Sequence, residues 1–206
     1  MSGSAAPVSS PLDGWLDKLA RPEGDPGGGY AVGLMLGVAT SLLSMVAGYT
    51  AHESADGCRE RLGEMREAAL LAGERDGEVS AALGAALRAD PSPEREAAVR
   101  DAAFAATSSS ARIGELCLAV FPELERLEVI GNRSVAADLV VGAEALCAAL
   151  GGSTANIRFN LALLARHCGD ADGLNPRIEG FAATANRIEA ARSRVDALRR
   201  RVSLDG

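Results

Sequence analysis

The sequence predicts an all-α fold, a single-domain antiparallel bundle of about five long helices, and three observations predict it. Hydrophobic residues make up 48% of the 206-residue chain while aromatics supply only 3%, so the apolar mass is Ala, Leu and Val, the composition of closely packed helices. Residues 27–51 carry no charge. Four later stretches place apolar residues near a 3.6-residue period, with polar residues opposite. The same composition excludes an all-β sandwich, and the length suits one domain: a tail over 1–11 and a helical domain over 12–206.

A short helix over 12–20 precedes Asp25-Pro26-Gly27-Gly28-Gly29. The uncharged stretch then forms the first long helix, with glycines at 29, 33 and 37 in the small-xxx-small spacing that lets helices approach closely. A membrane span takes about 20 residues, so length alone permits one here; Thr40, Ser41, Ser44, Tyr49 and Thr50 dilute it. A second helix over 55–88 carries Leu62, Met65, Ala69, Leu83 and Leu87 and stops before Asp90-Pro91, because the residue preceding proline avoids the helical region. Ser92 caps a third, with Pro93 in its first position and Glu94 favourable to its dipole. It runs to about residue 129 and bends at Pro122, where one backbone hydrogen bond is lost. Gly131-Asn132 breaks the chain. Ser134 caps a fourth helix to about residue 166, weakened in its middle by Gly151-Gly152. A loop over 168–176 leads to a last helix over 177–202, with Arg199, Arg200 and Arg201 at the negative end of its dipole.

Lys and Arg number 21 against 28 Asp and Glu, a net charge of −7, which leaves no basic face for nucleic acid. Cys58, Cys117, Cys147 and Cys168 show no C-x-x-C spacing, and His52 and His167 are the two histidines, so no metal site is expected and the cysteines read as reduced thiols. Residues 1–11 lack the basic start and apolar core of a signal peptide, and a cytoplasmic protein is expected.

Three features bear on chemistry. The triglycine opens a helix, and its amides either hold an anionic group of a ligand or simply form a flexible loop. In Glu74-Arg75-Asp76-Gly77-Glu78, residues two apart on a helix point to different sides, so Asp76 shares no face with Glu74 or Glu78; the run is solvated charge, or one face of it lines a pocket. Asn156 and Asn160 are four apart and stack on one face of an apolar helix, after Gly131-Asn132 and Asp138. Buried Asn needs hydrogen-bond partners, found by capping neighbours or by binding a ligand.

In order, Trp15-Leu16-Asp17-Lys18-Leu19-Ala20, Pro26-Gly27-Gly28-Gly29, and Ser44-Met45-Val46 with Thr50 resemble the opening of the formiminotransferase-cyclodeaminase and methenyltetrahydrofolate cyclohydrolase family. Asp76-Gly77-Glu78 looks like that family's Asp-Ala-x-Ala-aromatic segment, Gly131-Asn132 with Asp138 like its Gly-Asn-(five residues)-Asp element, and Asn156, Asn160 and Leu161 like its Asn-Val-x-x-Asn-Leu close. The resemblance covers about residues 14–165. It implies a helical bundle that forms a homodimer, with a hetero-oligomer as the alternative, and no membrane partner. It further implies a small-molecule substrate, a formimino or methenyl tetrahydrofolate, with no tightly bound cofactor. Asp76 would be the proton-moving acid and Asp138 the second catalytic candidate. Gly27, Gly28, Gly29, Tyr30, Ser44, Asn132 and Asn156 would bind substrate.

The chain also departs from the pattern. Tyr30 replaces a small residue and is expected to crowd the cleft mouth or offer a phenol there. Ala51-His52-Glu53-Ser54 replaces Gly and basic residues, Ser80 an aromatic, Ser110 a proline, and Ala137 the Ser before Asp138. These changes cluster at the expected site, so a recruited biosynthetic cyclase, closing a small nitrogen heterocycle by intramolecular amine attack, is the second expectation. A non-catalytic partner subunit is the third.

Overall fold

Uncharged throughout, helix α2 (Gly28–Gly48) buries its inner side along two neighbours, α3 (Ala55–Arg88) and α5 (Ala136–His167). The structure, a computed structural model, describes residues 12–22, 25–167 and 175–204. Helix α1 (Leu12–Leu19) precedes α2, α4 (Pro93–Ile130) follows α3, a 3₁₀ turn (Arg133–Val135) leads into α5, and α6 (Asn175–Leu204) closes the chain. The described residues hold no strand.

Contacts fix the directions. Gly33 meets Gly73 and Gly37 meets Leu70, so α2 and α3 are antiparallel; Val32 against Gly152 and Leu43 against Gly142 make α2 and α5 antiparallel. Arg61 pairs with Glu123 across α3 and α4, and Gly151 meets Arg192 across α5 and α6. Helices α4 and α6 run parallel, with Phe104 on Phe181 at one end and Arg201 on Glu128 at the other. Leu36, Leu43, Leu62, Leu124, Leu146 and Leu150 are fully buried between these helices.

Close approach comes from glycine. A Cβ on Gly33 would stand 2.8 Å from the Gly73 Cα and from the Ala69 carbonyl oxygen, so α2 and α3 touch backbone to backbone, which no larger residue permits. This crossing lies one turn beyond Gly29 and sets how tightly the start of α2 sits on α3.

Helix ends follow the expected chemistry with one correction. Ser92 Oγ accepts from the Arg95 amide at 3.1 Å, with Pro93 opening α4. At the next break the cap is Asn132 rather than Ser134: Asn132 Oδ1 accepts from the Ser134 amide at 3.0 Å, and Ser134 lies inside the 3₁₀ turn. An Asn side chain bonds readily to its own backbone two residues on. Cys58 and Cys117 are buried, Cys147 is half-buried, and all three are free thiols; burial pushes Cys58 and Cys117 up to about 12. The expected tail over 1–11 and Cys168 lie outside the described residues.

By length and composition Gly28–Gly48 and Arg133–His167 would each suffice to cross a membrane. In the fold α2 is a core helix on its inner side, with Ala39, Leu43 and Val46 sealed. Its outer side carries exposed Val38 and Met45.

Candidate active site

Helix α3 turns Asp76 inward on the face that also buries Ala69, Gly73 and Leu83, while Glu78 on the other side stays exposed. Asp76 is 3% exposed. Its carboxyl group fills the space in which Gly29 would carry a Cβ, so it lies flat against the first turn of α2. Ser80 Oγ donates to Asp76 Oδ2 at 3.2 Å, and the Ser109 hydroxyl of α4 donates from the other side. Burial pushes the Asp76 carboxyl above the usual carboxylate range, and the hydroxyls of Ser109 and Ser80 pull against that rise.

A cleft of about 230 Å³ opens at this carboxyl. Gly28 and Gly29 form one wall, Ser80 and Leu83 a second, Ser110 a third, and Asn156 and Asn160 a fourth. Among the lining residues Asp76 is the one ionisable side chain. Gly27 caps α2 without a side-chain hydrogen bond, so the leading amides of α2 are free for a ligand or water.

Tyr30 corrects its expectation. It does not crowd the cleft: the residue is 1% exposed, and its ring lies on Gly73 and Gly77 and edge-on to Trp15, with centroids 5.3 Å apart. The glycines of α3 are the seat of that ring. Burial, Glu74 and Asp25 push the phenol up to about 12, opposed by the Trp15 indole N–H, so Tyr30 is neutral packing behind the cleft. Asp25 Oδ1 presses on Gly77, and burial and Glu78 raise its carboxyl against the pull of Lys18.

The remaining candidates divide between the two ends of the bundle. Gly28, Gly29, Asp76 and Asn156 come together, with Gly27 at the adjoining cap. Ser44, Asn132 and Asp138 do not join them. Asn132 Nδ2 donates to the Tyr49 carbonyl at 2.8 Å, and its backbone N–H donates to Thr50 Oγ1 at 3.1 Å, fastening the far end of α2. Asp138 sits in the first turn of α5, 18 residues before Asn156 and so about 27 Å along the helix. Ser44 is about 22 Å along α2 from Gly29. Within one chain these three cannot share the cleft with Asp76.

Comparisons with known proteins bear on the family and the fold. The formiminotransferase-cyclodeaminase family profile matches residues 11–167, most of the chain. The chain belongs to the formiminotransferase-cyclodeaminase family. A solved structure described as formiminotetrahydrofolate cyclodeaminase from Thermotoga maritima superposes with a TM-score of 0.78 at 20% identity, over 95% of this chain and 98% of that one; it carries the same all-helical fold. No curated protein sequence matches the chain. Around Asp76 the structure adds what spacing does not reveal: Ser109 on its far side and the apolar wall of Leu83 and Ala106. The run Ser108-Ser109-Ser110 is visible in the sequence of α4, but it does not tell which of the three hydroxyls meets Asp76.

Proposed function

We propose that this protein is a ring-chemistry enzyme in which Asp76 moves a proton between two nitrogens of a one-carbon-bridged substrate, a formimino or methenyl tetrahydrofolate. One observation carries the reading: a single carboxyl group, buried and pushed above its usual range, is the one ionisable group lining a cleft beside uncapped helix amides.

In the deaminase direction a substrate N–H attacks the protonated formimino carbon, forming a C–N bond. The ionised Asp76 carboxylate takes the proton of the attacking nitrogen and returns it to the amino group, whose C–N bond breaks to release ammonia and leave the methenyl bridge. A carboxyl group serves both steps when its pKa stands close to the working pH, and positioned proton transfer of this kind contributes about 10²–10⁴-fold. Asn156 and Asn160 orient the substrate, each able to donate and accept. Holding both nitrogens in place is worth several kcal/mol more, up to about 7–11. Absorbance of the methenyl chromophore tests the reading: purified protein changes it, and Asp76→Asn abolishes the change. Inactivity with every one-carbon folate refutes it.

The cleft's size favours a second reading. At about 230 Å³, with no Lys or Arg among its lining residues, it suits a compact cationic amidine better than an extended anionic folate, as a recruited cyclase would require. Stabilisation of the fold by small amidines, and not by folates, distinguishes it.

A second copy of the chain is the proposed partner, seated on the outer face of α2, where Leu34, Val38, Leu42 and Met45 line an apolar groove of about 570 Å³. The uncharged sequence of α2 on all sides supports this seat. Light scattering checks it: Val38→Glu is expected to shift a dimer to monomer. A cytoplasmic location accords with the reduced cysteines and is part of the same proposal.

A further inference from the structure

The seam between α4 and α6 holds the same arrangement twice. At one end the Arg194 guanidinium lies over the Phe121 ring, 4.3 Å from its centroid, and pairs with Glu125 at 3.0 Å. At the other end the Arg177 guanidinium lies over the Phe104 ring at 3.9 Å, and Phe104 is itself braced on Phe181 at 5.3 Å. Here no carboxylate answers it: among the described residues Arg177 has no acidic partner. In the place of one stands a cavity of about 440 Å³, lined by Ser108, Arg112, Glu115, Arg177 and Thr184.

We propose that this cavity binds an oxyanion, a carboxylate or phosphate group of a small molecule. Arg112 supplies the second guanidinium, held only by a 3.9 Å contact to exposed Glu115 on its own helix. Ser108 and Thr184 add hydroxyl donors. A guanidinium stacked on an aromatic ring presents its fork in a fixed direction, which suits paired hydrogen bonds to a carboxylate or phosphate. The cavity continues into a second one of about 280 Å³ between α3 and α4, which shares Ser108 and Arg112 and adds Arg75 and Ser109. Arg75 also has no acidic partner among the described residues. In a chain with net charge −7, three guanidinium groups along one groove with Glu115 as the single acid lining it form a local field of the opposite sign. Ser109 lines the second cavity and donates to Asp76, so α4 stands between this groove and the cleft.

Calorimetric titration of the full chain with inorganic phosphate and with glutarate tests this independently of any activity. Saturable binding of either is expected, weaker by about tenfold or more in Arg177→Gln and in Arg112→Gln, the worth of a charge-assisted hydrogen bond. Arg194→Gln, at the end of the seam that Glu125 already fills, is expected to bind as the parent does. Competition between glutarate and methenyltetrahydrofolate would assign the site to the substrate's own anionic end; independent binding of the two would assign it to a separate ligand. Absence of saturable binding by both probes, or binding undiminished in Arg177→Gln and Arg112→Gln, overturns the proposal.

Discussion

The Asp76 carboxyl group fills the place that a Cβ on Gly29 would need. Residue 29 therefore has to be glycine for the acid to reach the start of α2. Gly29→Ala is expected to displace either the first turn of α2 or the carboxyl group by about 1 Å, a misplacement that costs on the order of 100-fold in rate. Turnover, read beside an unchanged helical circular dichroism spectrum, checks it; an undiminished rate would separate Gly29 from the chemistry.

Asp76→Asn is expected to lower turnover by about 10²–10⁴-fold and at the same time to stabilise the fold near neutral pH. The native carboxyl titrates above the 3.8 of a free aspartate. The stability linked to that raised value is therefore complete below the unfolded pKa and is lost as pH rises through the folded one. The amide carries no charge to desolvate, so its melting temperature exceeds the parent's at pH 7 and the gap closes on acidification. A variant less stable than the parent at pH 7 and equally unstable at pH 4 would contradict the burial argument.

Ser80 and Ser109 both lower the Asp76 pKa through hydrogen bonds. Removing either hydroxyl leaves burial less opposed, so Ser80→Ala and Ser109→Ala are expected to move the acidic limb of the rate profile to higher pH, further still in the double variant. An effect on stability without movement of the limb would make both serines packing residues.

Glu123 is a structural control. It is 5% exposed, bidentate to Arg61 at 2.7 and 2.9 Å, and held below the usual carboxylate range chiefly by that guanidinium. Its stabilisation is present above the unfolded value of 4.5 and lost as pH falls through the folded one. Glu123→Gln is expected to cost about 1–2 kcal/mol at pH 7, since Arg61 is partly solvated, with the loss shrinking below pH 4 and turnover per folded molecule unchanged. Denaturant unfolding at the two pH values measures it.

Most of the helical order was legible because its signals are local: Ser92-Pro93 to open a helix, Asp90-Pro91 to end one, uncharged residues to mark the core. The site was legible in part. Its acidic run alone left Asp76 undecided between solvent and pocket, and the ordered resemblance to a family singled it out. The same resemblance joins Asn132 and Asp138 to that residue, whereas the length of α2 and α5 carries them to the other end of the bundle. Ser109 and the arginine groove went unread because they depend on how α4 is registered against α3 and α6, which arises from glycine-mediated approach and core packing across the whole fold rather than from any short motif. The seat of Tyr30 is not legible locally, because its partners, Gly73 and Gly77, lie more than 40 residues away in sequence.

Carbon-13 NMR of aspartate-labelled protein, with the Asp76 resonance assigned by its loss in Asp76→Asn, probes the proton-holding acid itself. A carboxyl carbon that titrates above the 3.8 of a free aspartate, and whose midpoint moves when a one-carbon folate or a small amidine is added, is the predicted result. A resonance that titrates at or below that value and ignores every such ligand would contradict the assignment of Asp76 as the group that carries the proton.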